Sequence, residues 1–332
     1  MERTLDIFRA LADPTRFRIV ALLRAMDLSV GELAQVLGQS QPRVSRHVKI
    51  LADAGLADRR KEGSWVFLGL GDPRRVGPLL AAVDAWGAEG EDDGTTAADI
   101  ARLAAVRAGR AVAAEEYFEA HAGQWDAIRS LHVAESEVEA AIDRLLGEAP
   151  IGRLVDVGTG TGRMIELFGA RAATAIGVDR SPAMLRIARS KLDAAGQGGG
   201  GLARAELRQG DMYALPLPAR MADLVILHQV LHYAQQPAAA IAEAARLLAS
   251  GGRLLIVDFA AHDHEILRNR DAHARLGFDD AQIAAWFAAA GLAGDPVERL
   301  DGSELTVKLW LGRRPGETAF KVPAAAIEEF AA

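Results

Sequence analysis

Leu154-Val155-Asp156-Val157-Gly158-Thr159-Gly160-Thr161-Gly162 is the stretch whose reading decides the fold. An apolar run ends in an acid, three glycines follow within five positions, and Met164-Ile165-Glu166-Leu167-Phe168 resumes with helical spacing. That pattern predicts a strand, a tight turn and a helix. Without Cβ atoms the turn admits a ligand against its backbone, and the helix start offers unpaired N–H groups to a polar or anionic partner.

Gly177-Val178-Asp179 closes a second apolar stretch, with Asp179 21 positions after Gly158. A carboxylate at that distance accepts the hydroxyls of a ribose. The third glycine follows the second after one residue, not the two of the dinucleotide fingerprint, which tilts the reading away from NAD. Gln209-Gly210-Asp211-Met212 ends a third strand, and Ala222-Asp223-Leu224-Val225-Ile226-Leu227-His228 forms a fourth. Asp156, the glycine turn, Asp179, Asp211 and the His228–Tyr233 segment then fall at successive carboxyl ends of a parallel sheet, where open α/β folds bind ligands.

As a set, and over roughly residues 115–312, these features resemble the class I S-adenosylmethionine-dependent methyltransferases, most closely the ubiquinone-biosynthesis-type enzymes that act on small molecules. The resemblance implies an α/β, Rossmann-like domain with a mostly parallel seven-stranded sheet and helices on both faces. It implies S-adenosylmethionine as methyl donor, S-adenosylhomocysteine as product, and no metal. The cofactor contacts it implies are Asp156, Gly158, Thr159, Gly160 and Gly162 in the turn, Asp179, Arg180 and Met184 after the second strand, Gly210, Asp211 and Met212 after the third, and His228 after the fourth. Asp179 would take the ribose, Asp211 and Met212 the adenine, and Asp156 would organise the turn or reach the amino group of the methionine moiety through water.

Methyl transfer needs acceptor, methyl and sulfur in line, and a base where the acceptor is an oxygen or nitrogen that loses a proton. His228 and His232 are candidates for that base, with capping or packing as the alternative role for each. Tyr117, Phe118, Trp125 and His132 lie in Ala-rich helical sequence before the first strand; they form either a substrate lid or packing against the sheet. His262, His264 and His273 are open to a reading as metal ligands, although two histidines one residue apart in a loop more often face solvent.

The chain has 332 residues, 50% apolar and 25% charged, which suits about two soluble domains. No apolar run approaches the roughly 20 residues that cross a bilayer, and no signal peptide opens the sequence, so the expected place is the cytoplasm. Cysteine is absent, which removes disulfides, thiolate metal sites and a cysteine nucleophile. Net charge is −7, but residues 1–75 hold 13 Lys/Arg against nine Asp/Glu, so a head of +4 sits on a body of −11. A basic head on an acidic body fits a nucleic-acid-binding module joined to something else.

That head reads as helices. Residues 3–12 place Leu5, Phe8 and Leu11 on one face, and Pro14 opens a helix expected to bury Phe17, Val20, Leu22 and Leu23. Ser29 and Glu32 form a capping box for a helix stopped by Gly38. The next helix, from Ser40-Gln41-Pro42, turns Val44, Val48 and Leu51 inward and leaves Gln41, Arg43, Ser45, Arg46 and Lys49 outside as a DNA-reading face. Leu56 to Leu70 alternates around Glu62-Gly63-Ser64, a hairpin with Arg59, Arg60 and Lys61 near its tip to meet phosphates.

The phrases Leu11-Ala12-Asp13-Pro14-Thr15-Arg16 and Ser45-Arg46-His47-Val48-Lys49-Ile50-Leu51-Ala52-Asp53-Ala54-Gly55-Leu56 make residues 1–87 resemble the ArsR-type winged-helix repressors. The resemblance implies a homodimer on a double-stranded DNA operator, paired through residues 3–12 and roughly 74–87. Metal sensing is not expected, because residues 29–37 lack cysteine and Val76–Gly87 offers only Asp84 as a ligand.

The expected layout is a winged helix over 1–87, an acidic flexible linker over 88–96, a helical lid or connector over 97–150, the methyltransferase domain over 151–314 and a tail over 315–332. The resulting reading is a DNA-binding regulator fused to a methyltransferase acting on a small-molecule acceptor. The rival is a sensor in which S-adenosylmethionine or S-adenosylhomocysteine sets operator affinity without turnover. Arsenical methylation is disfavoured by the lack of cysteine, and hydride transfer with NAD by everything after the glycine turn.

Overall fold

A computed structural model describes residues 2–62, 65–87, 95–125, 133–197 and 205–316. The amino-terminal unit runs α1 (Glu2–Leu11), α2 (Pro14–Ala25), β1 (Leu28–Ser29), α3 (Val30–Leu37), α4 (Gln41–Asp53), β2 (Ala57–Glu62), β3 (Trp65–Leu70) and α5 (Pro73–Gly87). The capping box forms at α3: Glu32 N–H donates to Ser29 Oγ at 3.2 Å while Ser29 N–H donates to Glu32 Oε2 at 2.8 Å. Gly38 ends that helix at φ 65°, in the left-handed region that glycine enters without Cβ strain. Val44, Val48 and Leu51 of α4 are buried as their spacing requires. The hairpin gains a third strand that periodicity did not reveal, because two-residue β1 pairs antiparallel with β3.

One burial expectation fails. Phe17 is 42% exposed, and Leu5 and Phe8 are 48% and 53% exposed, so α1 and α2 turn part of their apolar surface outward. Val20, Leu22 and Leu23 are buried as expected.

The connector also differs from the expected division. The 88–94 part of the linker lies outside the described residues, and α6 (Thr95–His121) is a single helix of 27 residues, about 40 Å long at 1.5 Å per residue. Its amino-terminal half belongs to the winged-helix core, with Leu103 and Val106 buried among residues of α2, α3 and α4. Asp99, 4% exposed, accepts from Nε and Nη2 of Arg18 in α2 at 2.6 and 2.7 Å. Arg102 donates to the Val36 carbonyl at 3.2 Å.

The carboxyl-terminal unit comprises α7 (Glu135–Leu146), β4 (Gly152–Val157), α8 (Arg163–Phe168), β5 (Ala172–Asp179), α9 (Pro182–Gln197), β6 (Ala205–Gln209), β7 (Ala222–His228), α10 (Pro237–Leu247), β8 (Leu248–Phe259), α11 (Ile266–Arg270), α12 (Asp280–Ala289), β9 (Ala293–Gly294), β10 (Glu298–Asp301) and β11 (Thr306–Arg313). The strand order is β10-β11-β8-β7-β4-β5-β6, with two-residue β9 pairing β11 as an eighth strand beyond the seven expected. β4 to β8 pair in parallel and β11 runs antiparallel to its neighbours.

Leu224, Val225, Ile226 and Leu227 are all fully buried, the continuous apolar run of a strand covered on both faces. Alternate residues go to separate cores: Val155, Val225 and Ile256 to one, Leu154, Leu224 and Leu255 to the other. The order reverses between β4 and β7, so a crevice opens above the carboxyl ends of these strands.

Asp99→Ala would leave the half-buried Arg18 guanidinium without its bidentate acceptor and loosen α6 from the winged helix. The expected loss is about 2 kcal/mol of unfolding free energy, read from urea melts of the full chain.

Candidate functional site

The crevice holds a cleft of about 640 Å³, within the range of roughly 300–1,000 Å³ common to small-molecule sites. Its floor is the glycine turn. Gly158 and Gly160 have φ of 72° and 53°, and a side chain at Gly158 would overlap that of Val230. Asp156, 1% exposed, accepts from the Thr159 hydroxyl at 2.6 Å and so braces the turn. Asp179 sits across from it and accepts the Gly160 N–H and the Ser181 N–H, each at 2.8 Å. Burial raises the Asp179 carboxyl above its ordinary value, and the N–H donors only partly offset that.

Of the expected cofactor contacts, Asp156, Gly158, Thr159, Gly160, Asp179, Arg180, Met184, Gly210, Asp211, Met212 and His228 all line this cleft. Gly162 does not. At φ 86° it starts α8, and a Cβ there would lie 3.2 Å from Ala188 Cβ, so it serves close packing of α8 on α9. Phe118 and Trp125 line the cleft, and with Tyr233 they form an aromatic wall with centroid separations of 4.7 to 6.1 Å. Tyr117 stands behind that wall and donates to Asp271 at 3.3 Å; burial and that carboxylate push its phenol up to about 12. His132 lies outside the described residues.

The two candidate bases part company. His228, 8% exposed, lines the cleft. His232 does not reach it: the residue is 2% exposed, its Nδ1 meets Asp258 Oδ1 at 2.8 Å, and its ring packs on His273 with centroids 4.2 Å apart. Asp258, fully buried, also accepts the His232 N–H at 3.1 Å, so this pair sets the backbone behind Tyr233. The phenol of Tyr233 is held well above its usual range, chiefly by burial, and stays protonated at neutral pH. Arg163 reaches the cleft, but its charge is matched by Glu139 at 2.6 Å and Glu166 at 2.9 Å.

Gln229 was not legible in the sequence. It lines the cleft at φ 48°, left-handed without being glycine, and its N–H donates to the Val257 carbonyl at 2.7 Å. Strain of that kind concentrates where a side chain must be aimed. Among the described residues no group of three or more His, Asp or Glu is placed to hold a metal; His262 and His264 contact each other, while His273 packs on His232. No helix among the described residues is long and apolar enough to cross a membrane.

On the winged helix, Gln41, Arg43, Ser45, Arg46 and Lys49 of α4 are exposed, as are Arg59 and Lys61 of β2. Arg60 departs from the expected phosphate-facing trio. Strand alternation turns it the other way, where it is half-buried and donates to Asp27 Oδ2 at 2.6 Å.

The sequence model of the family described as bacterial regulatory protein, arsR family, matches residues 13–59. The arsenical resistance operon repressor of Escherichia coli is 39% identical over 88 residues, which cover 26% of this chain and 75% of that repressor. The chain belongs to the ArsR family. In this ArsR-family protein the winged helix is fused to a methyltransferase domain, whose sequence model matches residues 155–256. Demethylmenaquinone methyltransferase of Thermus thermophilus is 35% identical over 121 residues; they cover 36% of this chain and 52% of that enzyme, so the match spans about half its length. A chain of the solved complex between the Haloferax volcanii Trm112 methyltransferase activator and a methyltransferase superposes with a TM-score of 0.50 at 21% identity, covering 60% of this chain and 97% of that one. At that identity the likeness speaks to the fold.

Two left-handed glycines separate packing from backbone strain. Gly158→Ala carries both the φ penalty and the collision with Val230, whereas Gly251, at φ 75°, has nothing within 4 Å of its Cβ position. Thermal unfolding should place Gly158→Ala lower, with about 1 kcal/mol lost at Gly251 and roughly 2–4 kcal/mol at Gly158.

Proposed function

We propose that this protein reads a double-stranded operator as a homodimer through its winged helix, and that its carboxyl-terminal domain transfers a methyl group from S-adenosylmethionine to a small molecule. The observation that carries the enzymatic half is the meeting of the left-handed glycine turn with the half-buried Asp179 carboxylate at the reversal point of the sheet. The cleft residues fit a nucleoside donor. Exposed backbone at Gly158 and Gly160 suits the methionine moiety, Asp179 has lone pairs left for a ribose diol, and Asp211 with Met212 suits adenine.

When bound, that donor supplies an electrophilic methyl group on a sulfonium. The residues themselves would position and exclude: Phe118, Trp125 and Tyr233 wall off water, and His228, the candidate base that lines the cleft, would take a proton from the acceptor. Tyr233, held protonated, serves as wall or donor and not as base.

For the operator, Arg43 or Arg46 would reach a base edge at about 1–3 kcal/mol of discrimination each, while Arg59 and Lys61 meet phosphates. The outward Leu5, Phe8 and Phe17 supply apolar surface for the dimer that α1 and α5 would form. A second reading, a sensor without turnover, is favoured by α6, which is core to the winged helix at one end and lines the cleft with Phe118 at the other.

Calorimetry of the full chain with S-adenosylmethionine and S-adenosylhomocysteine, beside an assay for the demethylated product in cell extract, tests both readings. Binding with turnover supports the enzyme, binding without turnover supports the sensor, and absence of binding at millimolar concentration removes both. Asp179→Asn should weaken binding at least tenfold. Because the Asp179 carboxyl is raised, affinity should fall as pH drops from neutral, earlier than an ordinary carboxylate near 3.8 would require. Affinity that is level down to about pH 4 would exclude Asp179 as the ribose acceptor.

A further inference from the structure

The winged helix and the methyltransferase domain meet at a second place besides α6, and charge is concentrated there. Arg275, 3% exposed, lies in the loop before α12. Its backbone N–H donates to the His232 carbonyl at 2.9 Å and its guanidinium to the Gln235 carbonyl at 3.0 Å. The same nitrogen donates to Asp27 Oδ2 at 3.2 Å, in the turn between α2 and β1 of the winged helix. That one oxygen also accepts Arg60 of the wing at 2.6 Å. The Asp27 carboxylate lies over Gly69 of β3, where a Cβ would come within 2.7 Å of it, so the wing strand has no side chain at the point of contact. Phe67 of β3 meets two guanidinium groups of the other domain, Arg275 at 4.9 Å and Arg268 at 5.1 Å from its ring centre.

This junction continues into the cleft. Tyr233, Gln235 and Gln236 all line it, and the segment they belong to supplies both carbonyls that hold Arg275. A ligand that shifts this segment must shift Arg275 or break its bonds, because close-packed interiors do not absorb such displacements silently. We propose that Arg275 and Asp27 form the relay by which occupancy of the cofactor cleft sets the position of the wing, with Arg60 as its outermost member. The inference rests on the reading of the cleft as a cofactor site. Arg275 and Asp27 act as positioning residues: neither lines the cleft, and neither is on the exposed face of α4. Linkage makes the relay reciprocal, so DNA on the wing alters cofactor affinity by the same factor that cofactor alters DNA affinity.

The test uses the full chain, S-adenosylhomocysteine as probe, and amide hydrogen exchange across Ala57–Glu62 and Trp65–Leu70. Saturating probe should change exchange of these wing amides in the unaltered protein by about fivefold or more, the lower end of typical coupling factors. In Arg275→Gln and Asp27→Asn that change should vanish while calorimetric affinity for the probe stays within about threefold. Asp27→Asn keeps the shape of the side chain, so it serves if Arg275→Gln fails to fold. An unresponsive wing in the unaltered protein overturns the relay, as does a response that persists in the variants. Loss of probe binding in both variants would assign Arg275 to the cleft itself and also overturn it. Failure of the unaltered protein to bind the probe is a separate result: it removes the cofactor reading and this inference with it.

Discussion

Two backbone N–H groups, from Gly160 and Ser181, converge on the Asp179 carboxylate, and the shape of the cleft depends on that convergence. The carboxylate ties the turn after β4 to the start of α9, across the gap between adjacent parallel strands. Its desolvation is costly, which is why burial raises its affinity for a proton, and the cost is offset only in part by the donors around it. A nucleoside that brings hydroxyl donors would complete the set. The same side chain thus shapes the floor of the cleft and supplies its most polar acceptor.

The fusion is closer than two modules on a tether. Leu103 and Val106 complete a core begun by α2, α3 and α4, and the same helix carries Phe118 to the cofactor cleft about 20 Å further along its axis. Buried Asp99 fixes the register of that helix against Arg18. With the Arg275 contact as the second attachment, the methyltransferase domain engages the winged helix at Asp27 while the DNA-reading face of α4 stays exposed.

Much of this was legible in the sequence wherever the signal is local. The glycine turn, the capping box at Ser29 and Glu32, the exposed face of α4 and the parallel strands each rest on spacing within a few residues. What escaped depends on partners far along the chain. His232 resembles His228 in the sequence, but Asp258, 26 residues on, draws it behind the wall. Arg60 looked equivalent to Arg59 and Lys61 until Asp27 and Arg275 supplied the face it turns to; the latter two are 248 residues apart. Gly162 matched a motif position but answers to Ala188 on a neighbouring helix. Gln229 offered no signal, because a left-handed φ outside glycine follows from tertiary constraint and not from residue type.

The burial of Leu103 and Val106 bears on how such a chain could be divided. Protease cleavage near residue 87 would strip the reader of a hydrophobic plug and leave a socket beside α3 open to water. A separable head would have to keep α6 to at least Val106, and the cut would then fall inside the helix that carries Phe118 to the cleft. The two units share that helix, so no division between them leaves it whole in both.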